Sequence, residues 1–276
     1  DAGYDTVDIS FVFQDHDDFV LRADHWQQRV EDIGKTAETL GIKIHQCHLP
    51  YTVPHKLAAM TCEYRALYDE CTRRAYIASG MLGVRWAVAH PWTHPELNFE
   101  NKASLEANHA YYDPFIELGI QHNVGTALEN MCPCLNREMP MRYCQHYDQL
   151  LELVDSFHDP MVGVCWDTGH ANQMKLDQHR ALLAVGSRLK ALHINDNQYG
   201  SFDEHLLPYI GDNDWASIME ALVEIDYQGV LTYETGRVGR LAPYGEFQHA
   251  FLRATHESGM CMLHLYEEAQ KRLNQE

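Results

Sequence analysis

Short apolar runs rich in β-branched residues alternate along the chain with longer stretches in which apolar positions recur at helical spacing, the pattern of repeated βα units around a parallel sheet. Seven repeats are legible. The runs Val7–Phe11, Ile42–His48, Val84–His90, Val124–Glu129, Val162–Asp167, Ala191–Asn195 and Val230–Glu234 read as strands. Helical periodicity covers Trp26–Leu40, Glu63–Leu82, Ser104–His122, Arg142–Phe157, Gln178–Leu189, Trp215–Ile225 and Gly245–Leu273. Gly41, Gly83, Gly119 and Gly229 stand where a helix has to stop before the next strand. No low-complexity linker interrupts the rhythm, so the pattern predicts a single α/β domain over residues 1–276, a parallel (β/α) barrel. Such barrels close with eight strands. The opening Asp1-Ala2-Gly3-Tyr4-Asp5 reads as a helix end feeding a strand, and a first βα unit is expected ahead of residue 1.

Composition narrows the partners. A chain of 276 residues with 45% hydrophobic content can bury one large core. Its 21 Lys and Arg stand against 40 Asp and Glu, a formal net charge of −19. A polyanion is repelled at long range by such a chain unless a basic stripe attracts it locally. The longest basic clusters, Arg73-Arg74 and Lys271-Arg272, fall inside helical patterns and read as solvated faces. Nucleic acid is therefore not an expected partner. No apolar run reaches the roughly 18 residues needed to cross a bilayer, which makes a membrane partner unexpected and the cytoplasm the expected location. The eight cysteines are scattered over a long chain, unlike those of a disulfide scaffold. Cys132-Pro133-Cys134 is the one close pair, but its single spacer is shorter than zinc-ligand spacings, and it reads as a loop with two reduced thiols.

Candidate chemistry collects at the strand ends. His48, His90, Glu129, Asp167 and Glu234 each close one of the predicted strands, and His193 stands near the end of another. In a parallel barrel the active site forms where strands terminate, so these side chains are expected to converge on one cavity. Carboxylates with imidazoles and no strand-end cysteine suit Mn²⁺ first, and also Co²⁺, Zn²⁺ or Mg²⁺. A cation is close to an electrostatic requirement, because crowded carboxylates otherwise repel one another. Beyond the strand ends, His170 follows Asp167 across a turn that Gly169 permits, and Asp203 and His205 alternate in an extended loop so that both point one way.

In order and spacing, Leu128-Glu129-Asn130, Trp166-Asp167-Thr168-Gly169-His170, Leu192-His193-Ile194-Asn195-Asp196, Asp203-Glu204-His205-Leu206 with Pro208 and Gly211, and Tyr233-Glu234-Thr235 resemble the xylose isomerase-like TIM-barrel superfamily. The resemblance runs the whole chain. Gly3-Tyr4-Asp5-Thr6-Val7-Asp8 looks like the start of that family's second strand. In its sugar-acting members a metal is held by a Glu, an Asp, a His and a second Glu, which implies Glu129, Asp167, His193 and Glu234 here. The endonuclease branch adds ligands at positions resembling His48, His90, His170, Asp203 and His205, which implies a second or third metal site or substrate contacts. The acidity of the chain ranks a nuclease below a sugar enzyme. Tyr199 stands where the sugar epimerases carry an arginine, leaving Arg237 or Arg240 as substitutes.

The chemistry this implies is proton transfer at a carbon beside a carbonyl, through an enediolate, in a metal-dependent isomerase or epimerase acting on a small sugar or polyol. Glu129 and Glu234 are the expected base and acid, His170 and His193 orient oxygens, and Trp92 and Trp166 are candidate walls against the sugar face. A lyase, dehydrating a keto-inositol or cleaving a C-glycoside on the same metal site, is the first alternative. A multi-zinc phosphodiesterase is the second, and a non-catalytic sugar-binding barrel is disfavoured by the intact ligand set. A homo-oligomer stays open.

Overall fold

The computed structural model describes residues 2–12, 19–51, 59–93, 101–133, 142–200, 203–235 and 245–275. The chain groups into two compact units: residues 5–129 with 152–163, and residues 1–4 with 130–151 and 164–276. Among the described residues the elements follow the predicted rhythm. They are β1 (Thr6–Ser10), α1 (Trp26–Thr39), β2 (Lys43–His48), α2 (Cys62–Leu82), β3 (Trp86–Ala89), α3 (Asn101–Gln121), β4 (Gly125–Glu129), α4 (Tyr147–Ser156), β5 (Val162–Asp167), α5 (Thr168–Gln173), α6 (Gln178–Val185), β6 (Leu189–His193), α7 (Trp215–Glu224) and α8 (Gly245–Leu273).

In the first unit β1, β2, β3 and β4 pair in chain order, every pair parallel. Parallel strands with helices over them are buried on both faces and lose the alternation of a half-exposed strand. Accordingly every residue of β3 and β4 is buried. Helix α2 shows how the covering layer is specified. Thr61 caps it, its hydroxyl accepting from Tyr64 N–H at 3.2 Å. Tyr68, Cys71, Thr72, Ala75, Tyr76, Ala78 and Ser79 recur at helical spacing on its buried face. Gly83 ends it in the left-handed region, φ 72°.

Gly119 does a different job from the one its position suggests. It lies inside α3, where a Cβ would come within 2.7 Å of Val124 O and 2.9 Å of the Tyr76 ring. It therefore permits close approach of helix and strand, and Asn123, φ 60°, takes the left-handed turn instead. Gly229 has no left-handed φ either; its missing Cβ makes room for the Tyr227 hydroxyl.

In the second unit β5 and β6 pair in parallel, Asp167 standing opposite His193. Here too the strand runs are buried almost throughout. The run expected as Ala191–Asn195 forms two residues earlier, because Asn195 gives its backbone to Thr168: its N–H donates to Thr168 Oγ1 at 3.1 Å and its carbonyl accepts from that hydroxyl at 2.7 Å. The expected strand Val230–Glu234 is reduced to one parallel bridge, Tyr233 to Ile194. Two bonds make it, Ile194 N–H to Thr232 O at 2.7 Å and Glu234 N–H to Ile194 O at 3.0 Å. After Ile194 the chain leaves the ladder to form an antiparallel bridge between Asp196 and Leu206. Helices α7 and α8 pack on one another on the outside of this unit. No described helix is long and apolar enough to cross a membrane.

Candidate metal centre

Asp167 closes β5 and at the same residue caps α5, its Oδ1 accepting from His170 N–H at 2.6 Å. Three asparagine contacts fix its carboxylate and backbone. Asn130 Oδ1 accepts from Asp167 N–H at 2.6 Å, and Asn130 Nδ2 donates to Asp167 O at 2.9 Å. Asn195 Nδ2 donates to Asp167 Oδ2 at 2.9 Å. Gly169 makes that possible, since a Cβ there would overlap the Asn195 amide. The short helix also presents His170, whose Nδ1–H donates to Asn130 O at 2.8 Å. A carbonyl can only accept, so Nδ1 carries a proton and Nε2 is the nitrogen directed into the site.

His193 closes β6, and the bridge at Ile194 brings Glu234 alongside it, with His193 Nδ1 3.2 Å from Glu234 Oε2. Ligand atoms of Asp167, His193 and Glu234 all lie within 4.8 Å of one another, with Asp167 and His193 buried. Two carboxylates this close in a buried place repel one another unless positive charge joins them. Charge and donor type both fit a divalent cation of the oxygen- and nitrogen-liking kind.

Asp203 and His205 arrive on the hairpin anchored by Asp196. That buried carboxylate accepts from Asn197 N–H, Asn213 N–H, Tyr209 N–H and Trp215 Nε1–H at 3.0 to 3.2 Å. Burial nevertheless raises its pKa, the hydrogen bonds only partly offsetting the lost solvation. His205, itself at φ 52°, donates from Nδ1 to Glu234 O at 2.7 Å and from Nε2 to Asp203 Oδ2 at 2.9 Å. Burial opposes its charge, but the Asp203 hydrogen bond and nearby carboxylates push its pKa up to about 9. In the same way, and again against burial, Asp167 and its neighbours raise His170 well above the ordinary imidazole range. Asp203 is correspondingly held well below the carboxylate range by His170 and His205, with burial working the other way. Protons on imidazole thus supply positive charge that the carboxylates demand.

In the first unit β2 and β4 end on His48 and Glu129, and His90 follows β3 directly. His90 Nε2 is 3.1 Å from His48 Nε2 and 3.0 Å from Glu129 Oε2, and His48 Nε2 is 3.7 Å from the same oxygen. His48 donates from Nδ1 to Leu49 O at 2.8 Å, so its Nε2 lone pair also faces inward. The Tyr112 hydroxyl holds the His90 carbonyl at 2.6 Å.

The candidate sugar walls fare differently. Trp166 is fully buried and donates its indole N–H to Gln178 at 3.1 Å, so its ring packs in the core. Trp92 is half-buried under the Arg65 guanidinium, 5.0 Å from its ring, with its backbone clamped by Asn108. Arg237 and Arg240 lie outside the described residues. Tyr199 is exposed, with the Lys175 ammonium 4.7 Å from its ring centre, so a cation does stand beside this position. What sequence reasoning missed are the groups that orient ligands, Asn130, Asn195 and Asp196, and the position of Cys132, whose Sγ lies within 4.8 Å of donor atoms of His170 and Asp203. The asparagines and the aspartate sat inside motifs already singled out, next to the residues they hold.

Comparison with known proteins agrees with this geometry. The family described as xylose isomerase-like TIM barrel matches residues 1–254. An uncharacterised protein of Sinorhizobium fredii is 31% identical over 149 residues, 51% of this chain and 45% of that protein. An uncharacterised protein of Methanocaldococcus jannaschii is 28% identical over 204 residues, 72% of this chain and 67% of its own length. An L-ribulose 3-epimerase of Methylomonas is 32% identical over 85 residues, 31% of this chain and 28% of the epimerase. The chain thus spans less than half of the first of these relatives. Among solved structures, a D-tagatose 3-epimerase-like protein superposes with a TM-score of 0.73 at 21% identity, covering 98% of this chain and 91% of the other. An L-ribulose 3-epimerase gives 0.71 at 16% identity, covering 99% and 88%. The IolI protein, solved with a bound zinc atom, gives 0.68 at 18%, covering 97% and 90%. The chain belongs to the xylose isomerase-like TIM-barrel family.

Proposed function

We propose that this chain is a single-domain, cytoplasmic, divalent-metal-dependent enzyme that epimerises or isomerises a small ketose or related polyol. The observation that carries the reading is the convergence of Asp167, His193 and Glu234 within 4.8 Å in a mostly buried setting. Relatives and structural neighbours named as sugar 3-epimerases support the substrate class. Glu129 is proposed as the fourth ligand on the strand-end order and the family resemblance. Manganese is the metal proposed, with cobalt, magnesium and zinc as the other outcomes of a metal analysis. A cation held there supplies Lewis acidity toward a substrate carbonyl.

The chain's own groups do the rest. Asn195 donates to the Asp167 carboxylate and Asn130 holds the Asp167 backbone that carries it. Glu129 and Glu234 are proposed as the pair that removes and returns the proton beside the carbonyl, giving an enediolate between the two transfers. His170 and His193 orient substrate oxygens, His170 with its Nδ1–H held by the Asn130 carbonyl. The experiment is solvent-deuterium incorporation during turnover of a panel of ketoses and inososes. Glu129→Gln and Glu234→Gln should each abolish incorporation while the protein stays folded. Exchange that persists in both variants refutes the two-carboxylate scheme.

A second reading, a multi-metal phosphodiesterase, is favoured by one specific observation. His48, His90 and Glu129 form a compact donor group of their own, all within 4.8 Å. Three tightly bound zinc ions per chain together with cleavage of an abasic duplex would displace the sugar reading. The net charge of −19 argues for the opposite outcome.

A further inference from the structure

We propose that Arg142 and Gln145 form a receptor for the oxyanion of a small molecule, a carboxylate or a phosphate group, in the turn ahead of α4. Both residues belong to the second unit and share no residue with the groups of candidate metal ligands. The proposal therefore holds whatever the metal centre does.

Two buried donors carry it. Gln145 is only 2% exposed, and its Nε2 is buried with no hydrogen-bond partner among the described residues. Arg142 is half-buried, and its Nε is likewise buried with no partner among them. Buried N–H groups are almost always satisfied, so two orphans three residues apart in one turn call for a common acceptor. The guanidinium sharpens that demand, because it keeps its charge at every ordinary pH and no ion pair joins it to a carboxylate among the described residues. A water can accept from either N–H, but it leaves the positive charge unbalanced, whereas an anion answers both needs.

The turn is shaped to hold the two side chains. Cys144, which stands between them in the chain, is fully buried at φ 65°, a left-handed conformation that residues other than glycine rarely adopt. Strain of this kind persists only where the surroundings over-determine it, and ligand clamps are one such place. The Cys144 carbonyl accepts from Met131 N–H at 2.9 Å, which ties the turn to the chain one residue past Asn130. Asn130 in turn holds the Asp167 backbone and the His170 ring. An arginine can give two parallel N–H bonds to one oxyanion, from Nε and from an Nη, and the Gln145 amide adds a further donor. Carboxylate and phosphate groups both present the acceptor oxygens this needs. In a chain of net charge −19 the attraction for an anion has to be local, and a positive group beside a buried amide is a local source of it.

The test uses the full chain dialysed against EDTA, so that no metal competes for the anion. Calorimetric titrations add sodium phosphate alone and, in a separate arm, sodium acetate alone, at constant ionic strength. Saturable binding of one anion per chain is expected; tighter phosphate assigns a phosphoryl ligand and tighter acetate a carboxylate. Arg142→Gln and Gln145→Met should each weaken the better anion by about tenfold or more, the usual effect of removing a hydrogen bond to a charged group. Thermal melts give a second readout that changes sign. Without anion, Gln145→Met should melt at or above the parent temperature, since it removes an unsatisfied buried donor; at saturating anion the parent should melt higher, because its tighter binding gives the larger stabilisation. Absence of saturable binding of either anion to the parent, equal affinity in the parent and both variants, or Gln145→Met melting well below the parent without anion overturns the proposal. Should Arg142→Gln not fold, Gln145→Met decides alone. Neither readout involves sugar turnover, so failure here and failure of the epimerase reading are told apart.

Discussion

Asn130→Ala isolates how ligand orientation is built. The side chain makes two hydrogen bonds to the backbone of Asp167, 2.6 Å from its N–H and 2.9 Å to its carbonyl, and Asn130 and Asp167 are both fully buried. Alanine leaves an amide donor and a carbonyl acceptor of Asp167 without those partners. Stranding a buried polar group costs about 1–3 kcal/mol, so with some relaxation the variant should lose about 3 kcal/mol. For a chain of this size that is roughly 6–12 °C in Tm. Urea unfolding of metal-free protein measures it directly, as a lower midpoint at unchanged m. The same change loosens the backbone that carries the Asp167 carboxylate, and metal affinity should fall by about 10–100-fold, the usual cost of removing a group that positions a ligand. A midpoint shift worth less than about 0.5 kcal/mol, together with unchanged metal affinity, would refute the idea that Asn130 holds this ligand.

Two further outcomes follow from the fold. Glu70 accepts from Arg73 and Arg74, which hold its pKa down to about 2 against a small opposing effect of burial. A folded pKa below the unfolded one means stability that is present above about pH 4.3 and is lost as pH falls toward 2. Because the pair is about a third exposed, solvent screening reduces the full shift to about 1 kcal/mol; Glu70→Gln should cost that much at pH 7 and nothing near the acid limit, and an equal cost at both would exclude the ion pair as the cause. Gly119→Ala forces a methyl to within 2.7 Å of Val124 O, which should destabilise by about 1–3 kcal/mol through overpacking. A variant as stable as the parent in thermal melts would show that α3 can move away from β4 freely.

The βα order was legible because each element declares itself over a short window. Helix α8 occurs at the predicted bounds, Gly245–Leu273, and β5 at Val162–Asp167. Boundaries drifted where a side chain elsewhere captured the backbone, as Thr168 does with Asn195. The run Val230–Glu234 failed to form a strand because its partner leaves the ladder after Ile194. Site residues were legible as a series of strand ends, and most of the reasoning about them needed only the direction of a parallel strand.

The sequence by itself determined the alternation of strands and helices and the ordered set His48, His90, Glu129, Asp167, His193 and Glu234, because hydrophobic period and strand polarity are local properties of a chain. Only the tertiary structure decided which of them share a donor group, which His170 nitrogen faces the site, and that Trp166 is core while Cys132 Sγ stands within 4.8 Å of donor atoms of His170 and Asp203. Those outcomes depend on register, on two bonds at Ile194 and on a hairpin pinned by Asp196. Each is a contact between residues far apart in the chain, set by geometry that no local window contains.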